Sequence, residues 1–200
     1  MINLTELENW GNDLKPILFD INLALRNLEI LKHSNSLKFK EEFKDVFMVL
    51  WYQQYFVLII QLSKIFTKSD KHKRNINKLC AELQGVPLDN EILLKLETNK
   101  VKHDSHKSQE DFRNTVQNNF KELKDHKASI KLLSDLRNKV FAHTDPSAPE
   151  YILTIEELTP LVKLANKLYN SIFGKNWGQP FNPKFTSRFD FRKMIDLSNL

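Results

Sequence analysis

Val46-Phe47-Met48-Val49-Leu50-Trp51-Tyr52 is a run of seven apolar and aromatic residues in the middle of a segment that reads as one long helix, from about Leu37 to about Thr67. A helix that is apolar on every side must be covered on every side. The run therefore marks either the central helix of a bundle or a helix that lends one face to a second subunit. Glycine is scarce, at four residues (Gly11, Gly85, Gly174, Gly178), and the segments around this helix keep the same long periodicity. No strand pattern, internal repeat or low-complexity tract interrupts it.

Upstream, Trp10, Leu14 and Ile17 lead into a helix expected over Leu14 to His33, with Pro16 in its first turn. Downstream, a basic segment from Lys68 to Lys78 leads into a helix ending near Gly85, before Pro87. A short helix is expected from Asp89 to Thr98, a polar loop from Lys100 to Ser108, and a helical stretch from Gln109 to His143, broken near Lys127. Asp145-Pro146-Ser147-Ala148-Pro149 ends that stretch. Thr154 and Glu157 form a capping-box signature for a last helix, Ile155 to Phe173. The expected fold is all-α: an up-and-down bundle of four to five main helices with short helices, over residues 1–174. An irregular extension of undetermined packing follows over residues 175–200.

The 200 residues and 23.6 kDa suit one domain with a formal net charge of +5. Neither G-x-x-x-x-G-K-[ST] nor G-x-G-x-x-G can be written from the four glycines, which excludes the usual phosphate-cradling loops. Cys80 is the single cysteine, so an intrachain disulfide framework and a cysteine-rich zinc site are excluded. Residues Met1 to Trp10 lack the pattern of a signal peptide. The apolar region Val46 to Ile60, interrupted by Gln53 and Gln54, falls short of the roughly 20 apolar residues of a membrane span. The expectation is a soluble, cytoplasmic protein without membrane association. The basic balance, 24 lysines and six arginines, permits an anionic partner.

Ile130 to Thr144, projected as one helix, puts Val140, Leu133, Leu136, Ile130 and Leu132 on one apolar face. Arg137 and His143 fall on that face, about 60° to either side of Val140. Val116, Leu123 and Ile130 recur every seven residues, and Arg137 occupies the next position of the series. A guanidinium in an apolar position needs a partner, and its planar fork suits a carboxylate or a phosphate. Histidine can give or take a proton near neutral pH. A phosphate-binding cation beside a proton shuttle is a minimal kit for phosphodiester chemistry. The plainer reading of the same residues pairs Arg137 with Asp135 or Glu157 and makes His143 a helix-end histidine favoured by the dipole.

Arg137-Asn138-Lys139-Val140-Phe141-Ala142-His143, followed by Thr144-Asp145, resembles the R-x(4–6)-H motif of the HEPN superfamily. Its R-N-K-x-x-A-H-x-D form is similar to the AbiU2-like branch, named after a phage abortive-infection system. The resemblance in architecture extends from the first helix to about Phe173. It implies a helical bundle that dimerises, with the motifs of both subunits in a shared cleft, and metal-independent RNA cleavage without a cofactor. Arg137 would then stabilise charge on the phosphate. His143 would act as base on the ribose 2′-hydroxyl or as acid on the leaving 5′-oxygen. Asn138 and Asp145 would be supporting residues, although the projection places Asn138 away from the Arg137/His143 face. RNA, a second copy of the chain and a cognate antitoxin are the implied partners, in a toxin–antitoxin or phage-defence setting. A non-catalytic module of the same fold, binding nucleic acid or protein, is the alternative.

Outside this motif, Lys71, Lys73, Arg74 and Lys78 form the densest basic patch, suited either to an RNA backbone or to a solvated helix start. His103-Asp104-Ser105-His106 resembles half a metal site but has no third ligand at helical spacing, so no metal is expected. Trp51, Tyr52, Tyr55 and Phe56 suit core or dimer interface better than a base-stacking platform. Cys80 reads as a small core residue.

Overall fold

A computed structural model describes residues 2–33, 37–66, 75–85, 87–98, 106, 108–138, 153–174, 177–192 and 195. Among these the chain is all helical: α1 (Leu4–Lys32), α2 (Leu37–Glu42), α3 (Lys44–Phe66), α4 (Ile76–Gly85), α5 (Asn90–Thr98), α6 (Gln109–Asp125), α7 (Lys127–Leu136) and α8 (Ile155–Tyr169). A wider helical turn, Asn170–Gly174, extends α8, and a tight turn, Pro183–Arg188, lies in the C-terminal segment.

α1 begins ten residues before the expected start. Asn3 caps it, accepting a 2.8 Å hydrogen bond from the Glu6 N–H. Pro16 lies inside the helix, not in its first turn. It removes one backbone donor, yet the stripe Leu7, Trp10, Leu14, Leu18, Ile21, Leu25 and Leu28 stays buried on both sides of it. The stripe's packing therefore carries the helix through the proline. The expected second helix is two: α2 and α3 meet at Phe43. The break expected near Lys127 falls at His126. The capping box of α8 is present in full: the Thr154 hydroxyl accepts from the Glu157 N–H at 3.3 Å, and the Glu157 carboxylate accepts from the Thr154 N–H at 2.8 Å.

α1 is the spine. It packs most extensively on α3, and on α8 along another face. Asn22 and Asn166 exchange side-chain amide hydrogen bonds of 2.9 and 2.8 Å across α1 and α8. α4 packs on α6, and α7 on α3. The core joins Leu58, Ile59 and Leu62 of α3 to Phe112 and Val116 of α6, Leu133 and Leu136 of α7, and Leu158 and Leu161 of α8.

The C-terminal segment belongs to this core. Trp177 and Phe181 are buried in it, and Trp177 lies against Phe112 with ring centroids 5.4 Å apart. The Phe181 backbone exchanges hydrogen bonds of 2.7 and 2.9 Å with the Asn170 amide. The segment then follows α1 as a strap. Phe185 and Phe189 pack on Phe19, Asp190 pairs with Arg26, the Phe191 N–H donates to Asn27 Oδ1 at 3.0 Å, and Ile195 meets Leu31 and Phe47. At its start, a Cβ on Gly11 would lie 2.7 Å from Gln179 Oε1 and 3.0 Å from Phe173, so glycine permits this approach.

α3 is only partly covered. Its second half is core, but Val46, Met48, Val49 and Tyr52, with Phe43 before them, are 45–58% exposed. At 23 residues it is long and apolar enough to cross a membrane by length and composition. The expectation that this region is too short, counted only to Ile60, is corrected accordingly. Leu58, Ile59, Leu62, Ile65 and Phe66 are buried within the bundle.

Candidate functional site

Arg137 lies one residue beyond α7, still in helical conformation (φ −57°, ψ −46°), with its N–H bonded to the Leu133 carbonyl. Leu133 and Leu136 anchor the last turn of α7 in the core. Of the other residues expected on this face, Ile130 is half-buried, but Leu132 is 49% exposed. The apolar face is thus narrower than the projection implied, and Arg137 stands at its partly exposed edge.

The guanidinium bonds to a neutral group. Its Nε and Nη2 donate to Asn138 Oδ1 at 3.0 and 2.6 Å. Neither Asp135 nor Glu157 takes it: the Glu157 carboxylate is engaged in the α8 capping box. Sequence projection placed Asn138 away from Arg137, since adjacent residues do not face each other on a helix. The long arginine side chain and the Asn138 amide close the gap between them. Arg137 therefore keeps a net positive charge that no described carboxylate neutralises.

Leu136, the residue before Arg137, lines an apolar groove of about 560 Å³ with Met48, Trp51, Tyr52, Tyr55 and Leu153. The Tyr55 hydroxyl donates to the Leu153 carbonyl at 2.8 Å, tying α3 to the chain entering α8. This groove continues into the exposed face of α3. Trp51 packs partly on the core, whereas Tyr52 is 58% exposed.

His143 and Asp145 lie outside the described residues, as do Lys71, Lys73 and Arg74. Lys78 is half-buried on α4, where its N–H bonds to Asn75 Oδ1 at 2.9 Å as part of the helix start. No described contact joins it to Arg137. His103 to Ser105 are likewise outside. His106 is buried edge-on against Phe112, with its Nε2 3.1 Å from Thr115 Oγ1, which is the setting of a core histidine. Among the described residues no group of three His, Cys, Asp or Glu could hold a metal. Cys80 is fully buried in the core, and desolvation pushes its thiol up to about 12, which makes it inert.

Sequence reasoning passed over a second cationic feature, three lysines on the α6–α7 elbow. Lys124, Lys127 and Lys131 line a groove with half-buried Phe120 and Ile130, over the buried Phe66. The signal was available as basic residues at near-helical spacing leading toward Arg137. Compared with family models, with curated proteins and with solved structures, the chain matches none of them.

Proposed function

We propose that this chain is a homodimeric, metal-independent endoribonuclease of the HEPN type, an effector of toxin or phage-defence systems. The observation that carries the reading is the state of Arg137. Its guanidinium is oriented by a neutral amide and partly open to solvent, so its charge is available to a phosphate. A buried arginine serving only packing would need a carboxylate. The groove through Leu136, the residue before Arg137, runs into the exposed apolar residues of α3. On the HEPN resemblance, a second copy covering that face would bring the motifs of both subunits to one cleft.

In that arrangement Arg137 stabilises the charge that develops on the scissile phosphate. One His143 takes the proton of the 2′-hydroxyl, and the other gives a proton to the leaving 5′-oxygen. The 2′-oxygen bonds to phosphorus as the P–O5′ bond breaks, leaving a 2′,3′-cyclic phosphate and a 5′-hydroxyl. RNA cleavage by the purified protein is expected to persist in EDTA. It is expected to fall on the order of 10²–10³-fold in Arg137→Ala, and as far in His143→Ala, with both variants still folded. Wild-type cleavage rates in both variants would sink the assignment. Binding of RNA without products would move the chain to the non-catalytic reading.

A further inference from the structure

The elbow groove is separate from the apolar groove at Leu136. It measures about 450 Å³ and lies where the end of α3 and the start of α4 meet α6 and α7. Lys124, Lys127 and Lys131 are exposed around it, half-buried Phe120 and Ile130 form its apolar floor, and Phe66 lies buried beneath them. None of the three ammonium groups is paired with a carboxylate among the described residues. The Lys124 ammonium sits 4.7 Å from the centroid of the Phe120 ring. Ser134 ends the groove on α7, and Arg137 follows one turn later.

We infer that this groove binds single-stranded RNA and delivers the strand to Arg137. The inference rests on the ribonuclease reading and adds a substrate track to it. Lys127 and Lys131 stand on one helical face about 6 Å apart in axial rise, comparable to successive phosphates of an extended strand. The floor between the lysines is apolar and aromatic, so it accepts the face of a base. A duplex presents phosphates but keeps its bases stacked inside, so it would leave that floor empty. An acidic protein segment would satisfy the lysines but brings a planar ring to Phe120 and Ile130 only where an aromatic residue interrupts its acidic run, whereas every nucleotide carries one. The groove's lining on α7 runs from Lys127 through Lys131 to Ser134, in the direction of Arg137.

The test uses the full chain and a fluorescent single-stranded 2′-O-methyl oligonucleotide of about 12 nucleotides, which keeps phosphates and bases but offers no 2′-hydroxyl to attack. Binding is measured by anisotropy across a salt series for wild type and for the triple variant Lys124→Gln, Lys127→Gln, Lys131→Gln. The side chains are exposed, so the variant is expected to fold, which circular dichroism checks. The expected result is a loss of affinity of about ten-fold or more at low salt. The slope of log affinity against log salt should become shallower by about 2, at roughly 0.7 per lysine. Unchanged affinity and slope, in a protein whose wild type binds and cleaves RNA, would overturn the track and leave the ribonuclease reading standing. A wild type that neither binds nor cleaves RNA would overturn both. Equal weakening toward a duplex of the same length, or competition by poly-glutamate as strong as by unlabelled oligonucleotide, would also overturn the track, because the groove would then read charge alone.

Discussion

The charge of Arg137 has no described counter-charge, because its acceptor, Asn138 Oδ1, is neutral. Asn138→Asp replaces the neutral acceptor with a carboxylate of the same shape, turning a hydrogen-bonded guanidinium into an ion pair. RNA cleavage is expected to fall about ten-fold or more, because the phosphate must then compete with a fixed anion. Stability should change by no more than ~1 kcal/mol, since an exposed pair contributes little. Initial rates beside a thermal melt separate the two effects, and unaltered rates would show that the free charge of Arg137 is not used. The placement of Arg137 was legible in the sequence. It continues the spacing of Val116 and Leu123, both buried, and of half-buried Ile130. Its partner was not legible, because a projection locates Cβ atoms and says nothing of where a flexible three-methylene stem carries a guanidinium. Leu132 failed for a related reason: the burying face of α7 is set by what its neighbours offer it, and that face takes in Leu133, Leu136 and part of Ile130 but leaves Leu132 exposed.

α3 is the element whose two halves have different environments. Its uniform apolarity allowed two readings, central helix or interface, and the structure gives the second half to the core while leaving Val46, Met48, Val49 and Tyr52 of the first half exposed. Replacing Val46 and Val49, one turn apart on the uncovered side, by glutamate is expected to convert a dimer into a monomer in light scattering at micromolar concentration. Helical content should be unchanged, because neither residue is buried, and RNA cleavage should be lost with the composite site. A wild type that is already monomeric would remove the basis for that site. Element boundaries followed local chemistry where the chemistry was local, as at the Thr154–Glu157 box and the turn at His126. They failed at α1, where Pro16 looks like a beginning. Asn3 is the true cap, and a long buried stripe outweighs one missing backbone donor.

For the whole molecule, the C-terminal strap decides how the bundle is held. It lacked periodicity, so its packing was illegible in the sequence; its contacts depend on where α1 presents Phe19, Arg26 and Asn27. Asp190 is its ionic fastener. Burial would raise that carboxyl, but hydrogen bonds from Arg192 and Arg26 and from the Arg192 backbone N–H outweigh it and hold the group below the usual carboxylate range. A depressed carboxyl adds stability above its unfolded value, about 3.9, and loses it as pH falls through the folded value. Hydrogen exchange in residues 181–192 is therefore expected to stay slow from pH 7 to about pH 4, after allowance for intrinsic rates. Protection should be lost below that, and Asp190→Asn should remove the step. A protection profile identical in wild type and variant would dismiss Asp190 as the fastener.

The strap also bears on how the protein is made. Arg26 and Asp190 are 164 residues apart in sequence, and contacts of such separation form late. During synthesis α1, α3 and α8 are produced before the residues that bind them together, because chains fold from the N-terminal side as they grow. Phe47 and Leu31, which Ile195 covers, stay bare on the nascent chain, at the base of the same α3 face proposed to meet a second copy. Translation thus sets a delay: a nascent chain that has passed Arg137 but has not yet released Ile195 lacks the buttress beneath that surface.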